Sequence, residues 1–183
     1  VRLRVLSSFR PGPGTLICEE DPAVEAPVVS GIAFNRDEAQ ITASGLPDAP
    51  GVAFELLQPL AEAGIEVDMI VAGALQGGTV DMSFTVHRDD FARASGLARG
   101  AAARFPGAVV TGDDRVAKLA IVGSGMRSQP GVAARLFETL GRERINVRLV
   151  STSEIKVAVL VDEPVLEAAV RAVHAAFGLA GAA

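Results

Sequence analysis

An internal repeat constrains the fold of this chain more than any other feature of its sequence. Residues 41–71 and 119–151 read alike when they are aligned 80 positions apart. The identical pairs include Pro50/Pro130, Gly51/Gly131, Val52/Val132, Ala53/Ala133, Leu60/Leu140, Ile65/Ile145 and Val67/Val147. Chance matches of Ala or Val are expected in a chain that is 49% hydrophobic, but a shared Pro-Gly-Val-Ala string is not. The repeat therefore predicts two similar units, each built from the same supersecondary motif.

Each copy predicts the same order of elements: a strand, a Gly/Pro loop, a helix, two further strands and a second helix. In the first copy the strands cover 39–45, 65–71 and 80–86, and the second helix covers 89–104. In the second copy the strands cover 116–123, 145–150 and 155–161, and the second helix covers 164–177. The first helix of each copy carries apolar residues at every fourth position: Val52, Leu56 and Leu60, then Val132, Leu136 and Leu140. This spacing predicts that each of these helices buries one face.

Three prolines bear on these first helices. Pro50 and Pro130 are predicted to lie in the first turn, where the missing N–H is not needed. Pro59 lies inside the first helix and removes a backbone hydrogen bond there. We therefore expect the first helix of the first copy to be bent or shortened.

The two copies end differently. The first is followed by an apolar stretch, 108–111, that can supply a fourth strand, whereas the second stops after its last helix. A strand-like run, 28–34, precedes the first copy and is predicted to serve as the missing strand of the second. The predicted fold is α+β, with two ferredoxin-like βαββαβ units in tandem, the first inserted within the second. The predicted boundaries are a linker segment 1–27, a first unit 37–112, and a second unit 28–36 plus 113–183.

Composition excludes several classes of function. The formal net charge is −5 and the 17 basic residues are scattered, which argues against a nucleic-acid groove or an anionic membrane surface. The single cysteine, Cys18, excludes an internal disulfide, and the two histidines, His87 and His174, have no metal-ligand spacing. No apolar run reaches the roughly 18 residues that a membrane span needs. We expect a soluble, cytoplasmic protein without a metal or cofactor.

The Gly/Pro loops can recognise a free amino acid. A helix amino terminus presents unpaired N–H groups that attract a carboxylate, and Gly51 and Gly131 allow a close approach to the backbone. An ammonium group needs an oxygen acceptor, for which Asp48 and Asp68 are candidates in the first copy. In the second copy the loop offers Met126, Arg127, Ser128 and Gln129, and the neighbouring strand offers Asn146 and Val147. Capping of the helix by Asp48 and simple surface exposure of Asp68 are the alternative readings of these two carboxylates.

The chain resembles the ACT domain, a small-molecule regulatory module, and in particular the carboxy-terminal regulatory region of aspartokinases, which also occurs as a separate β subunit. The matching strings are VVSGIAF (28–34), GLPDAPGVA (45–53), VDMIV (67–71), DMSFTV (81–86), VGSGMRSQPGVAARLFETL (122–140), STSEIKVAVLV (151–161) and RAVHAAFGL (171–179). The run MRSQPGVAA followed by STSEIK is typical of aspartokinases among ACT proteins. Residues 3–18 resemble the segment that joins the kinase domain to the regulatory one.

The resemblance implies an effector site between ACT units that binds threonine, lysine or both. Carried over by position, its residues are Asp48, Ala49, Pro50, Gly51, Val67, Asp68, Ser128, Gln129, Pro130, Gly131, Asn146 and Val147. It also implies a homodimer, an aspartokinase catalytic chain or domain as partner, and feedback control of aspartate phosphorylation in lysine, threonine and methionine biosynthesis. The chain departs from the family at Ala72-Gly73, where members usually carry Gln-Asn.

Two other functions remain open. The Ala72-Gly73 departure favours an assembly module that has lost its effector and only holds kinase subunits together. An independent enzyme on a ferredoxin-like fold would use Asp68, Asp81 and Arg127 as acid–base or substrate groups. We rank the enzyme last, because no nucleophile is paired with a base and the chain has no phosphate-binding G-x-x-x-x-G-K-[ST] loop. We expect no kinase active site in these residues.

Overall fold

The computed structural model describes residues 3–6, 15–17, 29–75, 77–123 and 130–179. The strands within these ranges are β1 (Leu3–Val5), β2 (Thr15–Ile17), β3 (Gly31–Pro47), β4 (Val67–Leu75), β5 (Thr79–His87), β6 (Val109–Val122), β7 (Leu149–Thr152) and β8 (Lys156–Asp162). The helices are α1 (Val52–Glu62), α2 (Phe91–Ala102), α3 (Val132–Arg142) and α4 (Leu166–Ala176). Two short 3₁₀ helices, Arg88–Asp90 and Glu163–Val165, precede α2 and α4.

The strands form two antiparallel sheets. β1 and β2 pair with each other, and the other six form one sheet in the order β4-β5-β3-β6-β8-β7. Each half of the larger sheet carries two helices, α1 and α2 in the first half and α3 and α4 in the second. The predicted α+β content and the repeated order of helices and strands are thus confirmed.

Two long strands run through both halves of the sheet, where the sequence predicted four short ones. β3 joins the predicted strands 28–34 and 39–45 into one, and β6 joins 108–111 and 116–123. Residues 31–35 of β3 pair with 118–122 of β6, and residues 40–44 pair with 109–113. Register irregularities fall near Glu38, between these two blocks. The sequence pattern predicted separate strands because the polar residues between the apolar runs are typical of loops.

Each repeat has its own core beneath its helices. In the first repeat the fully buried Leu56 and Leu60 of α1 pack with Ile41 and Phe84 of the sheet. In the second repeat Leu136 and Leu140 of α3 occupy the corresponding positions. The prediction that Val52, Leu56 and Leu60 face the core is confirmed, because all three are buried.

A third apolar cluster joins the two repeats on the other face of the strands. On β8, Val157, Val159 and Val161 pack beneath the helices, whereas the alternating Ala158 and Leu160 belong to this third cluster. Met69 of β4 and Leu149 of β7 lie in the same cluster. Because β4 and β7 stand at opposite ends of the sheet order, this cluster brings the two edges of the sheet together through side-chain packing, without strand pairing between them.

The prolines of the first helices differ from expectation. Pro50 and Pro130 precede the helices, which begin at Val52 and Val132. α1 continues through Pro59 and has 11 residues, as many as α3, so Pro59 does not shorten it. The proline leaves the carbonyl of Glu55 without its helical donor, and the Arg104 guanidinium donates to that oxygen at 3.3 Å.

Candidate functional site

The turn before each first helix depends on a glycine backbone conformation. Gly51 and Gly131 stand at the amino termini of α1 and α3 with φ of 94° and 101°. A side chain at such angles is strained, which explains why glycine recurs at this position in both repeats. No atom of the described residues would lie within 4 Å of a Cβ at either glycine, so that part of the structure leaves the backbone open to an approaching ligand.

Asp48 lies in the exposed turn at the end of β3. Its backbone N–H donates to the Gly78 carbonyl at 3.0 Å, which anchors the turn to the start of β5. No side chain caps the amino terminus of α1, so the reading of Asp48 as a helix cap is wrong. The Asp48 carboxylate therefore stands at the surface beside the open end of the helix.

Asp68 lies at the other end of the first repeat. The strand β5 gives the distance between Asp48 and Asp68. Its Thr79 pairs with Pro47, which is next to Asp48, and its Val86 pairs with Val67, which is next to Asp68. Seven residues of extended strand span about 20 Å. One amino-acid molecule therefore cannot contact Asp48 and Asp68 of the same repeat, and a site that uses both needs two units.

Asp68 takes part in an ion-pair cluster that sequence reasoning missed. The Lys118 ammonium on β6 donates to Asp68 Oδ2 and lies 2.6 Å from Glu38 Oε1. Glu38 is buried and also accepts from Asn35 Nδ2 at 3.0 Å. Burial alone would lower the pKa of Lys118, but its hydrogen bonds to the two carboxylates outweigh burial and raise the pKa. Lys118 therefore stays charged and links the two repeats.

This cluster borders a polar cavity of about 180 Å³. Its lining consists of Asn35, Asp37, Glu38, Glu66, Asp68, Val86, His87 and Lys118. Four carboxylates face a single lysine there, so the cavity attracts cations. The reading of Asp68 as a simple surface charge does not fit this arrangement.

The second repeat reverses the charge at the corresponding position. Alignment of the repeats places Arg148 opposite Asp68. Arg148 Nη2 lies 2.8 Å from Asp113 Oδ2, and its Nε lies 2.5 Å from Asp162 Oδ1. The Arg115 N–H lowers the pKa of Asp113, with burial opposing and Arg148 adding to the effect. Asp68 and Arg148 therefore give the two repeats opposite charges at equivalent positions.

The remaining predicted effector residues fall into three groups. Val67 and Val147 pack against the two cores and are partly buried. Ala49, Pro50, Gly51, Pro130, Gly131 and Asn146 are exposed. Ser128 and Gln129 lie outside the described residues, as do Cys18, Met126 and Arg127.

The acid–base groups of the enzyme hypothesis do not converge. Asp81 Oδ1 accepts from the Gly45 N–H at 2.9 Å, and Asp81 pairs with Gly73, five residues along β4 from Asp68. Five residues of extended strand span about 16 Å. Asp68 and Asp81 therefore cannot act together on one small substrate within this chain.

The paired helices, the antiparallel strand order and the repeated Gly/Pro turns define a tandem α+β fold of two similar units. The ACT domain family model matches residues 40–96 and 119–177. The chain belongs to the ACT domain family, as the regulatory region of an aspartokinase.

Aspartokinases and their regulatory subunits resemble this chain closely. An aspartate kinase of Stutzerimonas stutzeri is 53% identical over 98% of this chain and 44% of its own length. A chain in the crystal structure of aspartokinase alpha and beta subunits is 48% identical, with a TM-score of 0.77 over 82% of this chain and 99% of its own. The ligand-free regulatory subunit of aspartate kinase from Thermus thermophilus is 38% identical, with the same TM-score and the same coverage. The chain spans less than half the length of the curated relatives that it matches.

The described part of the chain lacks two kinds of feature. No helix there is long and apolar enough to cross a membrane. Nor do the His, Cys, Asp and Glu side chains of those residues form a group of three or more that could hold a metal ion.

Proposed function

We propose that this chain is the regulatory, non-catalytic part of an aspartokinase. In this function a free amino acid, threonine or lysine, binds between ACT units and controls the phosphorylation of aspartate by the kinase chain or domain. The control is feedback inhibition in lysine, threonine and methionine biosynthesis, in the cytoplasm. One observation carries the proposal: the chain covers 99% of a separate regulatory subunit of aspartate kinase at 38% identity.

The domain boundaries form part of this proposal. The first unit, 37–112, is inserted into the second, 28–36 plus 113–183. Support comes from the strand pairing, because residues 31–35 pair with 118–122, next to β8 and β7 of the second repeat. With these boundaries each unit contains four antiparallel strands, two of them parts of β3 and β6, and two helices.

The effector site is assembled from two units. The loop of one unit contributes Asp48 and the open helix end at Gly51, and the second strand of another contributes Asp68. The separation of about 20 Å between Asp48 and Asp68 within one repeat supports this division. A homodimer supplies the second unit, and Ile70 on edge strand β4, half exposed, offers apolar surface for it.

Such a site can regulate a kinase through the relative placement of its units. A ligand that touches two units binds best when they hold one arrangement, and it therefore favours that arrangement. Effector binding is coupled to kinase activity if the active and inactive forms of the kinase differ in the relative arrangement of these units. The effector needs no contact with the catalytic residues.

Thermal unfolding with each of the twenty amino acids tests this function. A ligand present at 100 times its Kd adds about 2.7 kcal/mol to the free energy of unfolding. In a chain of this size the midpoint then rises by about 5–11 °C. We expect this rise for threonine or lysine and no rise for their D-enantiomers, which serve as matched controls. A flat response to all twenty in the dimer would contradict effector binding.

An assembly module without an effector is the second candidate function. Ala72-Gly73 favours it, because the resemblance leads us to expect Gln-Asn there. Both residues are exposed on β4, and Gly73 pairs with Asp81 near the end of the strand where the Asp48 turn lies. The site of this chain therefore lacks two amide side chains that could hydrogen-bond an effector.

Restoring these amides separates the two candidates. Gly73 has an ordinary φ and no atom within 4 Å of an added Cβ, so the Ala72→Gln/Gly73→Asn variant is expected to fold normally. Each new hydrogen bond is worth about 0.5–1.5 kcal/mol, so binding should tighten by roughly two- to a hundredfold in calorimetry. The Ala72→Met/Gly73→Leu variant controls for bulk, because its side chains are similar in size to Gln and Asn but carry no amide. Binding by the restored variant alone would favour the assembly module.

A further inference from the structure

We propose that Lys118 competes with the ammonium group of the effector for Asp68, so that effector binding breaks an ion pair between the two repeats. This inference rests on the proposed effector site at Asp68. Lys118 belongs to β6 of the second repeat and Asp68 to β4 of the first. In the absence of a ligand, the lysine ammonium holds the Asp68 carboxylate that a ligand ammonium would bind.

The two carboxylates that hold Lys118 differ in burial, and this difference decides which one can be released. The Glu38 side chain is only 5% exposed, whereas the Asp68 side chain is 42% exposed. A buried carboxylate without a partner is strongly disfavoured, so Lys118 remains with Glu38. A half-exposed carboxylate can exchange one ammonium for another at little cost.

The charge around Lys118 favours this exchange. The cavity is bordered by Asp37 and Glu66 in addition to Glu38 and Asp68, with Lys118 as the one lysine in its lining. A ligand ammonium reduces the net negative charge of this cavity. Lys118 can therefore stay in the cavity, paired with Glu38, when the ligand binds. The cavity of about 180 Å³ leaves room for the two ammonium groups side by side.

The exchange also couples effector binding at the first repeat to its contact with the second repeat. While Lys118 holds Asp68, β6 and β4 are tied together across the repeat boundary. Once a ligand takes Asp68, that tie is lost and the lysine pairs with Glu38 alone. The second repeat cannot do this, because Arg148 stands at the corresponding position and is held by Asp113 and Asp162.

The test is isothermal titration of the chain and of Lys118→Met with L-lysine and L-threonine. Methionine keeps the length of the side chain and removes the competing ammonium. We expect the Kd of the effector to fall about two- to fivefold, which is the effect of freeing a half-exposed carboxylate from its ion pair. Lys156→Met is the control, because Lys156 is the other lysine of the chain and does not line the cavity. Its Kd should equal that of the parent chain.

A second variant keeps the test decisive if Lys118→Met does not fold. Lys118→Met/Glu38→Gln removes the buried carboxylate together with its partner and leaves no unpaired charge beneath Asp68. The same gain in affinity is expected for this variant. Binding by a Lys118 variant when the parent chain does not bind would also support the competition.

The failures of the two proposals are distinguishable. Equal or weaker binding by the Lys118 variants, with normal binding by the parent, would overturn the competition and leave the effector site standing. No binding of either amino acid by the parent or by any Lys118 variant would overturn both proposals.

Discussion

Leu60→Ala and Leu140→Ala are each expected to lower the free energy of unfolding by about 2–5 kcal/mol. Both leucines are almost completely buried, at equivalent positions of α1 and α3, one in each core. Either substitution leaves a cavity that the surrounding helices and strands can only partly fill. Chemical denaturation followed by far-UV circular dichroism measures the loss, since the chain has no Trp or Tyr for fluorescence.

Both variants should unfold in one transition with the whole chain. β3 and β6 each run through both repeats, and the cluster containing Met69 and Leu149 packs one repeat against the other. Neither repeat can therefore lose its core without loss of the shared strands. Phe54→Ala is the control, because Phe54 is 65% exposed and its removal should change stability by less than about 0.5 kcal/mol. Two separate transitions, each shifted by only one leucine variant, would contradict a shared cooperative unit.

Asp48→Asn and Asp68→Asn should each weaken effector binding by about ten- to a hundredfold, because a hydrogen bond between charged groups is worth about 1.5–3 kcal/mol. Each variant dimer has both sites impaired. If the loop and the strand of a site come from different chains, a mixed dimer of the two variants has one intact site and one doubly impaired site. Random pairing on refolding an equal mixture of the variants makes about half of the dimers mixed. Parental affinity should therefore return at about a quarter of the parental number of sites.

The same variants refolded separately are the controls for this complementation. Both substitutions preserve shape, and Asp68→Asn leaves Lys118 paired with Glu38, so the variants are expected to fold. Calorimetry gives affinity and stoichiometry in one titration. An Asp68→Asn chain that binds as tightly as the parent would exclude Asp68 from the site. Failure of the mixed dimers to recover binding would exclude a site shared between two chains.

Much of the fold followed from local patterns. The recurring Pro-Gly-Val-Ala string located the turns before α1 and α3, and the spacing of Leu56 and Leu60 identified the buried face of α1. These features depend on residues close in sequence, so periodicity and backbone preference are sufficient to predict them. Conversely, the polar stretch around Glu38 reads as a loop, although β3 continues through it because β5 and β6 pair with it on both sides.

The candidate site was less accessible to prediction. Asp48 and Gly51 could be proposed as site residues because Gly and Pro in the sequence mark the turn before a helix. Lys118 could not, although it is one of only two lysines in the chain. The ion pair between Lys118 and Asp68 joins positions that are 50 residues apart and lie on strands that are not neighbours in the sheet.

The amino-acid sequence by itself determined that this protein is a repeated α+β chain with two cores and two open turns, because short-range periodicity records which faces are buried. Only the tertiary structure decided that β3 and β6 are shared by both repeats, that Asp48 and Asp68 stand at opposite ends of one unit, and that Lys118 holds Asp68. Strand register and charge pairing depend on distances in space, which chain position does not encode.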